Sequence, residues 1–380
     1  MIDGKHLCVL GLITKGLPFR SDVRVCHRPS TLSFLLPRRD ASMGAEEAHD
    51  PKRPKTNAPS PLSFCVTGAA GFIASHIVQQ CLAKGYQVRG TVRDAGDTKK
   101  TAHLLTLPGA AERLRLFSAE LMTEGSFDEA ISGCVGVFHA ASPLPMGKGA
   151  EDPESIVIRP AVDGTLNVLR ACKRAGTVRA VVMTSSMSAM APVPEPAMKS
   201  EEHWSDPESQ RGRGSHYGAG KTLAERAAYD FVAKEIQELR LVTMCPTMVL
   251  GPMHQAEPNM TMLAFRNWLR NGRAGGRCPN DSMSFVDVRD CAAQHIAAME
   301  MEDKRGRFMS LESSWHWNEL DTLMREIYPA MPPALPCEGE PCKPTRFDRS
   351  RQTSLGIELR PVRKILEGAA EELTAKGLLE

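Results

Sequence analysis

From residue 63 onward, short apolar segments alternate with longer segments in which apolar residues recur every three or four positions. This alternation is typical of βαβ units, in which a strand is followed by a helix that packs on the sheet. The short apolar segments predict six strands, at 63–67, 87–92, 114–119, 135–139, 180–184 and 239–245. The longer segments predict helices at 72–84, 160–175 and 217–234.

Six strands with intervening helices predict an α/β fold, a doubly wound parallel sheet of the Rossmann type. After Gly251 the alternation loosens, and helices are expected near 262–271, 288–301, 317–327 and 361–376. We therefore expect a nucleotide-binding domain at 61–250 and a smaller C-terminal lobe at 251–380 that mainly binds substrate. Residues 1–60 lack sustained periodicity and end in a polar, proline-rich segment, which predicts a disordered extension or a targeting segment.

The net charge of +2 is unevenly distributed along the chain. Residues 1–60 hold ten Lys and Arg against six Asp and Glu, whereas residues 61–380 hold 37 against 39. The folded part is therefore nearly neutral, so neither nucleic acid nor a membrane is an expected partner. The sequence also lacks an apolar run of the roughly 20 residues that cross a bilayer. It carries no signal for an oligomeric state.

The eleven cysteines are scattered and show no metal-ligand spacing, which favours a reducing compartment and no metal site. Cytoplasmic localisation is therefore expected. Organelle targeting by residues 1–42 is an alternative, because several arginines and hydroxyl residues there are typical of a transit peptide, although the three aspartates are not. Met43 is an alternative start that would make this stretch dispensable. Cys337 and Cys342 form a close pair, either as two loop thiols or as a redox-sensitive disulfide.

The segment TGAAGFIA follows the first predicted strand directly and precedes a helix. Gly68 permits a tight turn, Gly71 lets the backbone approach a pyrophosphate, and Ala74 allows the helix to pack closely on the strand. The helix N-terminus then offers free N–H groups and a partial positive charge to phosphate. The motif predicts a dinucleotide site. The residues of this turn expected in the site are Gly68, Ala70, Gly71, Phe72 and Ile73.

The end of the second predicted strand distinguishes the two nicotinamide dinucleotides. Enzymes that use NAD place an acidic residue there, which binds the ribose hydroxyls. This chain reads GTVRD, and Arg93, with Lys100 a little further on, can bind a 2′-phosphate that an acidic residue would repel. NADP is therefore the expected cofactor, although Asp94 directly follows Arg93.

Tyr217 and Lys221 lie four residues apart in SHYGAGK, so a helix places the phenol and the ammonium on one face. A neighbouring positive charge favours the phenolate and is expected to lower the pKa of Tyr217. Such a phenol exchanges a proton with an oxygen whose carbon gains or loses hydride. The fifth predicted strand ends in VVMTSSMSAM, which brings Ser185 and Ser186 to the carboxyl edge of the sheet. Together these residues predict a redox enzyme.

Over about residues 62–380 the chain resembles the extended short-chain dehydrogenase/reductases, in their dihydroflavonol reductase and cinnamoyl-CoA reductase-like branch. The resemblance rests on VTGAAGFIASHIV, GTVRD, GSFDEAISGCVGVFHAASP, VDGTLNVLRAC, VVMTSS, YGAGKTLAE, CPTMVLGP and FVDVRD, which follow the order of the family. It implies that Ser186 bonds the substrate carbonyl, that Tyr217 supplies its proton, and that Lys221 lowers the pKa of Tyr217 and holds the nicotinamide ribose. The further cofactor contacts that it implies are Glu120, Leu121, Ala140, Ala141, Pro246 and Thr247.

Departures from the family pattern bear on the substrate. Ala191 stands five residues after Ser186, where flavonoid reductases of this branch carry asparagine. Tyr217 lies in RGSHYGAGK and not in the NWYCYGK-like signature of cinnamoyl-CoA reductases, and Glu120 replaces the aspartate usual after the third strand. The resemblance thus implies NADPH-dependent reduction of a small-molecule carbonyl compound, which is an aldehyde, a ketone, a dihydroflavonol-like compound or an acyl-CoA.

Two kinds of alternative remain at this point. Hydroxysteroid dehydrogenases and sugar-nucleotide epimerases share the fold and the three catalytic residues, and Arg93 together with VFHAASP and FVDVRD argues against an epimerase. A non-catalytic NADP(H)-sensing protein is an alternative of another class. Such proteins typically lack the tyrosine or the lysine, whereas this chain has both.

Overall fold

Seven parallel strands form the central sheet of the protein, whose structure is a computed structural model that describes residues 61–143 and 152–379. The predicted extension at 1–60 lies outside these ranges. The strands in chain order are β1 (Ser63–Thr67), β2 (Gln87–Val92), β3 (Leu114–Ser118), β4 (Gly136–His139), β5 (Ala180–Thr184), β6 (Arg240–Pro246), β7 (Met248–Leu250), β8 (Ser282–Asp287), β9 (Gly306–Ser310) and β10 (Ser314–His316).

The helices in chain order are α1 (Phe72–Ala83), α2 (Thr98–Leu105), α3 (Ala110–Arg113), α4 (Asp128–Ile131), α5 (Arg159–Ala175), α6 (Pro207–Gly212), α7 (His216–Glu235), α8 (Met260–Asn271), α9 (Val288–Glu300), α10 (Trp317–Ile327), α11 (Ser350–Thr353) and α12 (Val362–Ala375). A π-helical turn at Glu154–Ile158 precedes α5, and short 3₁₀ turns lie at Met187–Met190 and Ala274–Gly276. No helix in the described ranges is both long and apolar enough to cross a bilayer.

The main sheet has the strand order β3-β2-β1-β4-β5-β6-β9, and every neighbouring pair is parallel. The order reverses between β1 and β4, so the connections that follow these two strands leave toward opposite faces. Such a reversal opens a crevice at the carboxyl ends of the strands. The predicted doubly wound Rossmann sheet is therefore confirmed.

Helices cover both faces of this sheet, which explains why its central strands are apolar throughout. Every residue of β4, β5 and β6 is buried. On one face α1 packs against α9, and the core there includes Ile77 and Ile296. On the other face α5 packs against α7, around residues such as Val168 and Ala228. A strand with a helix layer on each side has no solvent-facing position, so its sequence is a continuous apolar run.

A second, smaller sheet has the order β10-β8-β7, with β8 parallel to β7 and antiparallel to β10. Helices α8, α10 and α12 pack around it on a core that includes Phe265, Phe285 and Ile365. The sequence located these helices but predicted none of these strands. Strands β7 and β10 have three residues each, which is too short to show a period of two.

Strand β9 makes seven strands in the main sheet, where the sequence predicted six. Its sequence, GRFMS, begins with glycine and carries an arginine, so neither an apolar run nor an alternation marks it. The main sheet thus draws on residues beyond 250. The cysteines in the described ranges are free, Cys337 and Cys342 among them, so the structure has two thiols in that loop and no disulfide.

Arg240 at the start of β6 holds the connection between α9 and β9. Its buried guanidinium donates to the carbonyl oxygens of Met299 at 2.6 Å, Ala298 at 2.7 Å and Lys304 at 3.1 Å. These carbonyls belong to the last turn of α9 and the loop after it, where backbone oxygens lack helical partners. One side chain therefore satisfies the backbone at the point where the chain returns to the main sheet.

Replacing Arg240 by methionine keeps the apolar stem but removes every donor. Because three carbonyl oxygens then lose their partner in a buried position, we expect the free energy of unfolding to fall by about 2–4 kcal/mol, as measured by urea denaturation. Arg115→Met is the control, since this side chain is 72% exposed and lies 3.8 Å from Glu129. That change should cost less than about 0.5 kcal/mol. Equal stability of the two variants would contradict this account of Arg240.

Candidate active site

A cleft of about 790 Å³ runs along the carboxyl edge of the main sheet. All the residues that the sequence assigned to cofactor binding or catalysis line it. They are Gly68, Ala70, Gly71, Phe72, Ile73, Arg93, Lys100, Glu120, Leu121, Ala140, Ala141, Ser186, Tyr217, Lys221, Pro246 and Thr247. The cleft also contains residues that the sequence did not single out, among them Thr184 and the segment Asn259, Met260 and Thr261.

The glycine turn between β1 and α1 brings backbone close to the cleft. Gly68 has φ +63°, and a Cβ atom there would lie 3.0 Å from the Cα of Ala141, so only glycine fits. Gly71 precedes α1, and no side chain caps the first turn of this helix. The N–H groups of that turn therefore face the cleft without a side-chain partner, which suits the pyrophosphate of a dinucleotide.

The buried His139 is linked by hydrogen bonds, through Thr67, to Ala141 beside the glycine turn. The Ala141 N–H donates to Thr67 Oγ1 at 3.1 Å, and the Thr67 hydroxyl lies 2.9 Å from His139 Nδ1. His139 Nε2 is 3.2 Å from Thr165 Oγ1. Burial lowers the pKa of His139 to about 3, helped by the charge of Lys221, so the ring is neutral at working pH. His139 is thus a buried, neutral ring that is hydrogen-bonded between Thr67 and Thr165.

Basic side chains lie at the rim beyond β2. Arg93 is exposed and lines the cleft, and Lys100 lies in the first turn of α2, 3.3 Å from Asp97. Asp94, next to Arg93, is also exposed and lines the cleft, and its Oδ1 accepts a hydrogen bond of 2.8 Å from the N–H of Gly96. The rim beyond β2 therefore holds an acidic side chain beside the basic ones.

The hydroxyl of Ser186 projects from the end of β5 into the cleft. Its Oγ accepts hydrogen bonds from the N–H of Ser188 at 3.2 Å and from the hydroxyl of Ser188 at 2.9 Å. Because both contacts use the oxygen as an acceptor, the hydrogen of Ser186 can be donated to another oxygen atom, and the phenol of Tyr217 is one such acceptor within reach. Ser186 is thus prepared to donate a hydrogen bond to an oxygen atom in the cleft.

Tyr217 and Lys221 lie one turn apart near the start of α7, as the spacing predicts. The Nζ atom of Lys221 is 5.9 Å from the centre of the Tyr217 ring and donates to the carbonyl oxygen of Thr184 at 2.9 Å. Burial lowers the pKa of Lys221 to about 8, against the opposing effects of Cys245 and Glu225.

Burial raises the pKa of Tyr217, and the hydroxyl of Ser186 offsets part of the rise. The expectation of a lowered pKa for Tyr217 is therefore wrong for this structure. Sequence spacing places a cation near the phenol, but it does not measure how much water the fold removes from around the ring. Here that loss of solvent is the larger effect.

The sequence analysis missed a buried ion pair beneath the catalytic residues. Glu225 follows Lys221 by one more helical turn in YGAGKTLAE and is fully buried. It pairs with Arg307 of β9 at 2.8 Å. The four-residue spacing from Lys221 was a signal that could have identified Glu225, whereas nothing in GRFMS indicates that Arg307 lies next to it.

Other conspicuous residues lie away from the cleft. As far as the described residues define it, the cleft is not lined by His216, Trp315 or Trp317. Trp317 is buried against Trp268, with ring centres 5.1 Å apart. Nor do the described ranges contain a cluster of three or more His, Cys, Asp or Glu side chains arranged to hold a metal ion.

The sheet, the glycine turn and the Ser–Tyr–Lys arrangement define a dinucleotide-dependent enzyme of the Rossmann class. A family model described as the NAD dependent epimerase/dehydratase family matches residues 64–310. The chain belongs to this family, in agreement with its resemblance to the extended short-chain dehydrogenase/reductases.

Several similar proteins are named as reductases. Cinnamoyl-CoA reductase CAD2 of Medicago truncatula is 38% identical over 318 residues, 82% of this chain and 95% of that protein. A bifunctional dihydroflavonol 4-reductase/flavanone 4-reductase of Malus domestica is 37% identical over 325 residues, 83% of this chain and 92% of that protein.

Two solved structures match along almost their entire length. Vestitone reductase from alfalfa (Medicago sativa L.) is 29% identical with a TM-score of 0.71, covering 83% of this chain and 99% of its own. Gre2 from Candida albicans in complex with NADPH is 28% identical, also with a TM-score of 0.71 and the same coverage of 83% and 99%.

The buried position of Lys221 leads to a prediction that needs no substrate. An amine reacts with acetic anhydride only when it is unprotonated, so the pH dependence of labelling reports its ionisation. We expect Lys221 to label with a midpoint near pH 8 rather than 10.5, with mass spectrometry as the readout. Lys234, exposed on the same helix, provides the internal reference for reactivity. A midpoint above pH 10 for Lys221 would contradict the effect of burial.

Proposed function

We propose that this protein is an NADPH-dependent reductase of small-molecule carbonyl compounds that uses Ser186, Tyr217 and Lys221. One observation carries the proposal. A single cleft contains the uncapped glycine turn and Arg93 at one end, and the three candidate catalytic side chains at the other. Its relatives are named reductases, and a similar structure holds NADPH, which supports both the reaction type and the cofactor.

We assign to the three side chains the roles that the family resemblance implies, and their positions in the cleft support this assignment. Bound NADPH supplies the hydride that reduces the carbonyl carbon. Ser186 donates its hydrogen to the carbonyl oxygen and stabilises the charge that develops there. Tyr217 gives that oxygen a proton, so the product is an alcohol. Lys221 binds the ribose hydroxyls, and its positive charge stabilises the phenolate that remains on Tyr217.

The cofactor end of the cleft determines the choice of dinucleotide. We assign Arg93 and Lys100 to the 2′-phosphate, because both are exposed cations at the rim next to β2. The turn of Gly68 to Ile73 binds the pyrophosphate. The remaining assigned contacts are Glu120, Leu121, Ala140 and Ala141 along the adenosine and cofactor side, and Pro246 and Thr247 near the nicotinamide.

The substrate end combines two parts of the chain. Pro143 and Pro160 contribute apolar surface from the sheet side, and Met260 contributes it from the segment after residue 250. Met260 is 41% exposed, so its apolar side chain is accessible to a ligand in the cleft. We propose that the residues after 250 supply most of the substrate contacts. Position 191 holds alanine, where flavonoid reductases carry asparagine. An aldehyde, a ketone or an acyl-CoA is therefore as suitable a substrate as a dihydroflavonol-like compound.

The proposal is tested directly with the full chain. NADPH absorbance is followed against a panel of aldehydes, ketones, dihydroflavonols and acyl-CoA thioesters, with hydroxysteroids and sugar nucleotides included for the rival enzymes. Turnover of a carbonyl compound supports the reductase. Tight NADPH binding without turnover of any compound would favour a non-catalytic sensing protein.

Arg93 should determine the preference for NADPH over NADH. Arg93→Ala removes a charge-assisted contact worth roughly 1.5–3 kcal/mol, so NADPH affinity should fall by about 10–100-fold. NADH lacks the 2′-phosphate and should bind almost unchanged, as measured by fluorescence titration. Arg115→Ala, on the neighbouring strand β3, serves as a control for general loss of positive charge. Equal use of NADH and NADPH by the wild type would refute the assignment.

Tyr217→Phe tests the chemistry, because it keeps the ring and removes only the hydroxyl. The fold and NADPH binding should survive, while kcat falls by about 10²–10⁴-fold for want of a proton donor. Lys221→Met should lower both kcat and NADPH affinity. Ser186→Ala should lower kcat with little change in NADPH binding, and Ser185→Ala should have a much smaller effect. Near-normal turnover by folded Tyr217→Phe protein would overturn the mechanism.

A further inference from the structure

Glu225 is a carboxylate with no exposed surface, and every contact of its two oxygens leads toward the active site or the sheet. Oε2 accepts a hydrogen bond from the hydroxyl of Ser185 at 2.7 Å. Oε1 accepts one from the hydroxyl of Thr243 on β6 at 2.5 Å. The thiol of Cys245 lies 3.8 Å from Oε1 and 4.0 Å from Oε2, and Arg307 completes the set, with Nε 2.8 Å from Oε1 and Nη2 3.2 Å from Oε2.

Arg307 extends this contact to the segment that follows the catalytic serine. It is 6% exposed, and its Nη2 donates to the carbonyl oxygen of Ala189 at 3.0 Å. Its Nη1 donates to the carbonyl oxygen of Glu201 at 3.1 Å and to that of His203 at 2.5 Å. The guanidinium also lies 3.7 Å from the centre of the Trp204 ring. One buried cation therefore holds the start and the end of the segment 187–204.

Stability alone is a weak reason for such a pair. Removing two charges from water costs about as much free energy as their attraction returns, and well-packed apolar residues often serve a fold equally well. What the pair does provide is geometry, because a bidentate ion pair fixes the relative positions of the elements that carry it. Here those elements are α7, which carries Tyr217 and Lys221, and β9, which carries Arg307. The end of β5 joins them because the hydroxyl of Ser185 donates to the same carboxylate.

We propose that the Glu225–Arg307 pair is the positioning element of the active site: it fixes the side chain of Ser185 and the segment 187–204 against helix α7, and it places a carboxylate one helical turn behind Lys221. Glu225 and Arg307 are positioning residues, since they act through Ser185, the segment 187–204 and Lys221. The kinetic test of this inference rests on the proposed function, whereas the labelling test of Lys221 does not.

The charge of Glu225 matters because few other charges surround Lys221. The titratable groups around the ammonium are Tyr217 and Glu225 on its own helix, His139 on β4 and Cys245 on β6. Burial holds His139 neutral and raises the pKa of the Cys245 thiol far above its usual value, so neither carries charge at working pH. The Glu225 carboxylate is then the anion that favours protonated Lys221, and Arg307, with Nε 2.8 Å from Oε1, is the cation that faces it. Removing the charge of Glu225 also leaves this cation unpaired, so both effects should make Lys221 lose its proton at lower pH.

Glu225→Gln tests the proposal, because glutamine keeps the size and polarity but removes the charge. In the full chain we expect kcat to fall by at least about tenfold while KM for NADPH changes by less than about twofold, as positioning errors act on the chemical step. The midpoint of Lys221 labelling by acetic anhydride should move to lower pH. The alkaline limb of the kcat profile should move in the same direction.

Asp321→Asn is the matched control. Asp321 is a carboxylate with 2% exposure that pairs with Arg325 at 3.0 Å on α10, and it does not line the cleft as described. Its loss should lower the melting temperature as the loss of Glu225 does, yet leave kcat within about twofold and the labelling profile of Lys221 unchanged. A purely structural role for Glu225 would make the two variants behave alike, and that result would overturn the proposal.

Ser185→Ala covers the case in which Glu225→Gln does not fold. It breaks the link between β5 and Glu225 but keeps the charge, so kcat should fall by about 3–10-fold while the labelling profile of Lys221 stays that of the wild type. Unchanged kcat in Ser185→Ala would then overturn the positioning role. If wild-type protein reduces no carbonyl compound, the proposed function fails, and the labelling of Lys221 in Glu225→Gln still decides whether Glu225 sets its charge.

Discussion

Parallel pairing is the constraint on which the rest of this structure depends. Because all seven strands of the main sheet run in one direction, their carboxyl ends meet at one edge, and the loops that follow them share one cleft. Gly68 after β1, Arg93 after β2 and Ser186 after β5 are far apart in sequence and reach the same cleft for this reason alone. The helices on both faces bury the strands, so most of their residues are apolar, and the polar residues within them, such as Thr243 and Arg307, are hydrogen-bonded to the buried Glu225.

The sequence predicts those parts of the site that lie within one element or at the end of one strand. The glycine turn, Arg93, Ser186 and the pair of Tyr217 and Lys221 are all of this kind, and the structure brings them together in the cleft. Contacts between distant, irregular segments were not predictable. Arg307 stands 82 residues from Glu225, in a strand whose sequence carries no strand signal. The pKa of Tyr217 was mispredicted for a related reason, because burial is a property of the packed structure.

Ser185 and Ser186 are adjacent in an extended segment, yet their hydroxyl groups have different partners. Successive residues of an extended chain point to opposite sides, and Ser186 keeps extended backbone angles of φ −159° and ψ 151°. Both serines line the cleft, but the hydroxyl of Ser185 bonds to the buried carboxylate of Glu225, whereas that of Ser186 bonds to Ser188. A change at Ser186 removes a hydroxyl next to Tyr217, and a change at Ser185 removes the bond to Glu225. Because both residues are serines, the sequence alone does not show that their hydroxyl groups have different partners.

Burial acts on the pKa values of Tyr217 and Lys221 in opposite senses, because it disfavours the charged form of each side chain. It raises the pKa of the Tyr217 phenol, and the hydroxyl of Ser186 opposes that rise. Burial also lowers the pKa of Lys221 to about 8, close to the point at which its positive charge is lost. A neighbouring anion opposes this fall in the pKa of Lys221, and the buried carboxylate of Glu225 is such an anion.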